Sequence, residues 1–157
     1  MTVGVKAGHN AEHHNHNDVG SFVVHHGATA FLADLGAPVY SRRTFSAERY
    51  ESIFCSSRGH NVPVINGAGQ PPGGRYAGEL TVEGLNGGGT CTATIEMAGA
   101  YAEPTLRSLR RVVAVETDGT VRLTDHFEFS EPPESVEEVF VTVLPTVATD
   151  DGRRVRI

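Results

Sequence analysis

SLRRVVAVETDGTVRLTDHFEF, residues 108–129, holds two runs of alternating and β-branched residues on either side of one Asp-Gly pair. Asp and Gly tolerate the positive φ angles of a type I′ turn, so Asp118-Gly119 predicts a hairpin between two strands. Comparable runs recur along the whole chain: SFVVHH, ATAFLAD, VPVI, ELTVEG, TCTATIEM, VEEVFVTVL and RRVRI, each bounded by Gly, Pro, Asn or Asp. Asp151-Gly152 repeats the turn signal near the end. No helical stripe competes with these runs for long. Residues 41–56, SRRTFSAERYESIFCS, predict an irregular excursion with a turn or two of helix, capped by Thr44 or Ser46. NGAGQPPGGR at 66–75 and NGGG at 86–89 are loops by composition. The expected fold class is all-β, an antiparallel two-sheet β-sandwich.

A chain of 157 residues fits a single domain over 1–157. No apolar run approaches the roughly 20 residues that span a bilayer, so no membrane segment is expected. The start, MTVGVKAGHN, lacks the charged, apolar and small-residue zones of a secretory signal, and localisation is not legible directly. Cys55 and Cys91 form no CxxC pair and are expected to be small buried hydrophobes. The net charge of −6 argues against a nucleic-acid partner. Arg42, Arg43, Arg49 and Arg58 nevertheless fall together, whereas many acids sit late, as in SEPPESVEE. If the first 60 residues form a mouth, it would attract an anion.

The chemistry concentrates in AGHNAEHHNHNDVGSF, residues 7–22, with His9, His13, His14 and His16. In an extended segment alternate side chains share a face, so His14, His16 and Asp18 would point one way and Asn15 and Asn17 the other. Zinc takes imidazole and carboxylate ligands and completes its four-coordination from elsewhere in a fold. Asp34, at the end of ATAFLAD, and His60, in RGHN, are the candidate outside contributors. A solvated turn is the competing reading. His25, His26 and His126 read as ordinary strand histidines, and His9 and His13 as supporting rather than liganding.

KAGHNAEHHNHNDVGSF (6–22), FLADLG (31–36) and RGHNVPVING (58–67) together resemble the heparinase II/III family of polysaccharide lyases, and the 108–129 hairpin looks like that family's later pair of long strands. The resemblance implies a β-sandwich that binds Zn²⁺ through His16, Asp34 and His60, the metal scaffolding three distant segments. It places His14 toward the substrate cleft as charge neutraliser or proton-transfer partner. It also implies β-elimination on an acidic, uronic-acid-containing polysaccharide. Ligating imidazoles usually anchor their other nitrogen, so Asn17, Asp18 and Asn61 are expected to orient the ligands by hydrogen bonds. Tyr50 is a weaker catalytic candidate beside Tyr40, and Arg43 and Arg49 are weaker substrate contacts.

Complete members of that family carry an N-terminal helical toroid that supplies a catalytic tyrosine. The resemblance here covers only the C-terminal β domain, so the isolated chain is expected to show little lyase activity without such a partner domain. A bacterial periplasmic or secreted location follows from the family alone, and a cytoplasmic one stays open. Two other function classes remain at this point. Gly8 followed by His14-x-His16 begins the cupin pattern of metal-dependent enzymes, but the glutamate that should follow His16 is replaced by Gly20 and Ser21. A non-catalytic module gripping acidic glycans through Arg42, Arg43 and Arg49 is the second.

Overall fold

The computed structural model describes residues 1–149 and 155–157, so the expected turn at Asp151-Gly152 lies outside the described residues. Twelve strands follow in chain order: β1 (Thr2–Val5), β2 (Gly8–Asn10), β3 (Phe22–His26), β4 (Thr29–Leu32), β5 (Pro63–Ile65), β6 (Gly73–Glu83), β7 (Cys91–Glu96), β8 (Leu106–Val115), β9 (Val121–Phe129), β10 (Val136–Glu138), β11 (Val147–Ala148) and β12 (Val155–Arg156). A five-stranded sheet runs β2-β6-β7-β8-β9 and a three-stranded sheet runs β1-β3-β4. The pairs β5-β10 and β11-β12 complete the pairing. Every pairing is antiparallel, and the sheets pack as an all-β sandwich.

Alternation along β8 shows why the sheets stack. Leu109, Arg111 and Val113 face inward, whereas Arg107 and Arg110 face solvent. Val113 joins Ala93, Phe22 and Val24 in one apolar cluster between the two larger sheets, with Leu32 and Leu123 at its margin. Leu109 joins a second cluster with Ile95, Met97, Tyr101 and Ile65 beneath β5. Burial of these side chains, about 1.5–3 kcal/mol for each large one, is what holds the layers together. Among the described residues no helix is long and apolar enough to cross a membrane.

The central hairpin forms as expected, but its turn is one residue longer. Val115 pairs with Val121 and the Glu116 N–H donates to the Thr120 carbonyl, so Thr117, Asp118 and Gly119 make a three-residue loop. Gly119 alone takes positive φ (86°), and the Asp118 carboxylate accepts the Thr120 N–H. That is a type I turn closed by a glycine bulge rather than type I′. The consequence is a shift of register. A two-residue loop would set Arg111 opposite His126, whereas the observed loop sets it opposite Asp125.

Three further expectations change in the structure. The alternation considered for His14–Asp18 is not found, because residues 11–21 form a turn-rich loop between β2 and β3. Its alternation breaks at His14, which sits in the left-handed region at φ 58°. Only Val136–Glu138 of VEEVFVTVL is strand. Cys55 is fully buried as expected, but Cys91 is only partly so. The 41–56 excursion holds two 3-10 turns, Arg43–Phe45 and Ala47–Glu51, and the Ser46 hydroxyl accepts the Glu48 N–H at the start of the second.

Candidate metal centre

Three loops meet at one edge of the sandwich. The loop after β2 brings His16, the end of β4 leads into Asp34, and a 3-10 turn over Ser57–Gly59 delivers His60. Each of the three residues offers a ligand atom, and these atoms all lie within 4.8 Å of one another. Zinc bonds such ligands at about 2.0–2.2 Å, so a shared ion would need the three side chains to adjust around it. The His16 and His60 rings sit 5.1 Å apart between centroids, tilted by 44°.

The hydrogen bonds around His60 decide what the group can hold. His60 is fully buried, and its Nε2 lies 3.1 Å from the Phe54 carbonyl, which can only accept. Nε2 therefore carries the proton. Nδ1 lies 2.7 Å from Asp34 Oδ2, and a neutral ring in this tautomer would aim a lone pair at a carboxylate oxygen. Such a contact requires a positive species between or on the two atoms, either an added proton or a metal cation. A metal-ligating histidine usually donates its other ring N–H to a carboxylate, backbone carbonyl or water, and the Phe54 carbonyl is such a partner here. The donor set fits a divalent cation such as zinc.

The electrostatics point the same way. Burial, followed by the neighbouring His60, pushes the His16 pKa below the ordinary imidazole value, so its ring keeps the neutral form that binds metal. Burial works to raise the Asp34 carboxyl, but hydrogen bonds from His60 and from the Gly36 N–H outweigh it and hold it below the usual carboxylate range. The Gly36 bond is 2.7 Å long and closes Asp34-Leu35-Gly36 as a tight turn that fixes the carboxylate. Gly59 is required for the approach of the third loop. A Cβ there would stand 2.0 Å from the Ile53 carbonyl oxygen, which is backbone and cannot swing aside.

His14, two residues before His16, is not part of this group. It is exposed, and its ring meets the edge of Tyr40 at 5.6 Å between centroids. Tyr40 in turn stacks on Phe45 at 5.7 Å, and both are more than half exposed. The Tyr50 hydroxyl accepts at 3.4 Å from the amide of Asn15, the residue between His14 and His16. Arg43 is held by Glu48 and Glu51, and Arg58 by Glu137, which spends part of the positive mouth internally. Arg49 stacks over Tyr50 and keeps a buried Nε without a hydrogen-bond partner among the described residues. Arg43 and Arg49 line one cleft of about 240 Å³ with Ser41, Ser52 and Cys55.

The residues expected to orient the ligands act on the loops rather than on the rings. Asp18 pairs with Lys6. The Asn17 carbonyl accepts from the Ser57 hydroxyl at 2.7 Å, and its N–H donates to the Cys55 carbonyl at 2.9 Å, tying the histidine loop to the segment that carries His60. Asn61, fully buried, donates to the Phe22 and Ala33 carbonyls at 2.6 and 3.0 Å and accepts the Val141 N–H at 2.6 Å. Removing that side chain would leave one buried and two part-buried backbone groups without their partner, at about 1–3 kcal/mol for a fully buried one. Asn61→Ala is therefore expected to lower the unfolding free energy by about 3 kcal/mol or more. Urea denaturation measures this as a fall in midpoint, and a change under about 1 kcal/mol would contradict the role.

Sequence reasoning missed Ser57, Gln70 and Arg111. Gln70 grips both backbone groups of Val19, with its Oε1 accepting at 2.9 Å and its Nε2 donating at 2.7 Å, and so pins the far end of the histidine loop. Nothing in its loop-like composition signals this. Arg111 did carry a signal, since the alternation of LRRVV places it on the same face as Leu109 and Val113.

The family model described as Heparinase II/III-like, C-terminal, matches residues 1–154. No curated protein matches the chain.

Proposed function

The chain belongs to the heparinase II/III-like C-terminal family, a family of polysaccharide lyases, and from that premise we propose that it is the β-sandwich part of a lyase cleaving uronic-acid-containing polysaccharide by β-elimination. The observation that carries the proposal is one loop with two histidines in different company: His16 grouped with Asp34 and His60, and the exposed His14 against the ring of Tyr40. His14 itself stands in the left-handed backbone region. A non-glycine residue held there costs free energy and is a feature found at functional sites.

In such a reaction a base removes the proton beside the sugar carboxylate, and those electrons form the C4–C5 double bond. The C4–O bond breaks, and an acid protonates the departing oxygen. The proton is weakly acidic, so the carboxylate must be neutralised while charge develops on it. His14 would donate to that carboxylate or move a proton, a role its exposed imidazole supports. The Tyr40 and Phe45 faces offer apolar surface for sugar rings, and Arg49, less occupied than Arg43, is the better candidate for an acidic group. Zinc on His16, Asp34 and His60 would serve as a scaffold, joining three distant segments and adding its binding free energy to folding. The cleft would be completed by a helical domain of the same protein, in a periplasmic or secreted setting.

The ion pairs of Arg43 weaken the alternative of a glycan-gripping module without catalysis, because solvated paired arginines offer little net charge to a ligand. The test is a lyase assay of the full gene product on uronate polymers, followed by ultraviolet absorbance of the unsaturated end. New absorbance growing with time supports the proposal. Binding of those polymers without any such absorbance would leave the module reading standing instead.

A further inference from the structure

Arg111 lies outside the metal-binding group yet touches the backbone of the loops that form it. Its side chain is fully buried, and its five N–H donors are all used. Nε and one Nη2 bond reach the two oxygens of Asp125 at 2.9 and 2.6 Å, and a second Nη2 bond reaches Glu138 at 3.2 Å. Nη1 donates to two carbonyls, Gly20 at 2.9 Å and Asn61 at 2.5 Å. Gly20 closes the loop that carries His16. Asn61 follows His60 directly, and its amide bonds the carbonyl of Ala33, the residue before Asp34. A single guanidinium therefore bonds the end of the loop that carries His16 and the residue after His60, and the side chain of that residue bonds the one before Asp34.

A buried ion pair is by itself weak evidence for stability, because apolar replacements of similar volume often do as well. An apolar side chain could not fix two carbonyls from different loops at a set separation. The forked, planar guanidinium can, and a lysine with three donors on a flexible stem cannot reproduce it. Gly20 contributes to the same geometry, since a Cβ there would lie 2.3 Å from Met97 Sδ and push its carbonyl away from the clamp. The Phe22 ring, 5.4 Å from the guanidinium carbon, closes the remaining side.

We propose that Arg111 is a positioning residue for the metal centre: its guanidinium sets the spacing between the His16 loop and the His60 loop, and through Asn61 the placement of Asp34. The inference rests on the metal reading above. Co²⁺ is the probe, because its visible absorption reports the geometry of a nitrogen- and oxygen-ligated site. Arg111→Lys is expected to bind Co²⁺ about 10–100-fold more weakly than wild type, the cost typical of losing a group that orients ligands, with altered visible bands and a cooperative unfolding transition. Val113→Ala, which thins the apolar cluster beside Phe22 but removes no hydrogen bond of the clamp, is expected to keep wild-type affinity and bands.

Wild-type affinity in a cooperatively folded Arg111→Lys would overturn the clamp, as would an equal loss in Val113→Ala. Should Arg111→Lys not fold, Asp125→Asn decides. It leaves the arginine in place with a weaker anchor, so several-fold weaker Co²⁺ binding supports the clamp and unchanged binding overturns it. A wild-type chain that binds no Co²⁺ at all would remove the metal reading itself, and the clamp with it.

Discussion

His14→Ala is expected to lower lyase turnover of the full gene product by about 10²–10⁴-fold, the usual contribution of a positioned proton-transfer group, while metal content and melting temperature stay at wild-type values. The ring is exposed and its one aromatic contact is the edge of Tyr40, so the fold loses little when it goes. Its backbone is another matter, because φ is 58°. His14→Asn is the control. Asn tolerates the left-handed region well, so an equal loss of turnover in both variants assigns the effect to the imidazole. Turnover within a few-fold of wild type in His14→Ala would remove His14 from the reaction.

His60→Ala is expected to abolish zinc binding and to lower the melting temperature together. The imidazole is fully buried between the Phe54 carbonyl and Asp34, and without it the carboxylate keeps only the Gly36 N–H while an ion keeps two of its three ligands. At free zinc about a thousand-fold above the dissociation constant, binding stabilises a fold by about 4.1 kcal/mol. For a domain of this size that corresponds to a shift on the order of 10 °C. Thermal melts with and without chelator show the coupling: chelator should lower the wild-type transition and leave that of His60→Ala unmoved. Metal analysis of the purified proteins checks the first half of the prediction. A wild-type transition indifferent to chelator would contradict a scaffolding metal.

The hairpin at 108–129 was legible because strand alternation and an Asp-Gly turn agree, and the structure keeps both strands. The turn's length was not, since Asp-Gly serves two-residue and three-residue loops alike. That single residue matters, because it exchanges His126 for Asp125 opposite Arg111 and so decides whether the buried guanidinium has a carboxylate. Burial together with the nearby Asp125 pushes Glu138 up to about 7, a mark of how crowded with acid this corner is. From the sequence the same glutamate reads as one more surface acid in a run of them.

His16, Asp34 and His60 were legible as a set through their motifs, and the structure places their ligand atoms together. The route was wrong in one respect. Strand alternation assumed an extended segment through His14 and His16, whereas His14 stands in the left-handed region at φ 58°. Backbone reversals of this kind at a residue other than glycine leave no trace in composition. The supporting network was hidden for a related reason: Asn17, Asn61, Ser57 and Gln70 bond backbone groups in distant loops, and such partners exist only once the chain has folded.

Anomalous diffraction at the zinc absorption edge, from crystals grown with zinc, tests the convergence most directly. The expected result is a single strong peak about 2.0–2.2 Å from a His16 ring nitrogen, an Asp34 carboxylate oxygen and His60 Nδ1. A zinc ion bound without His16, or no peak among these three side chains, would contradict it.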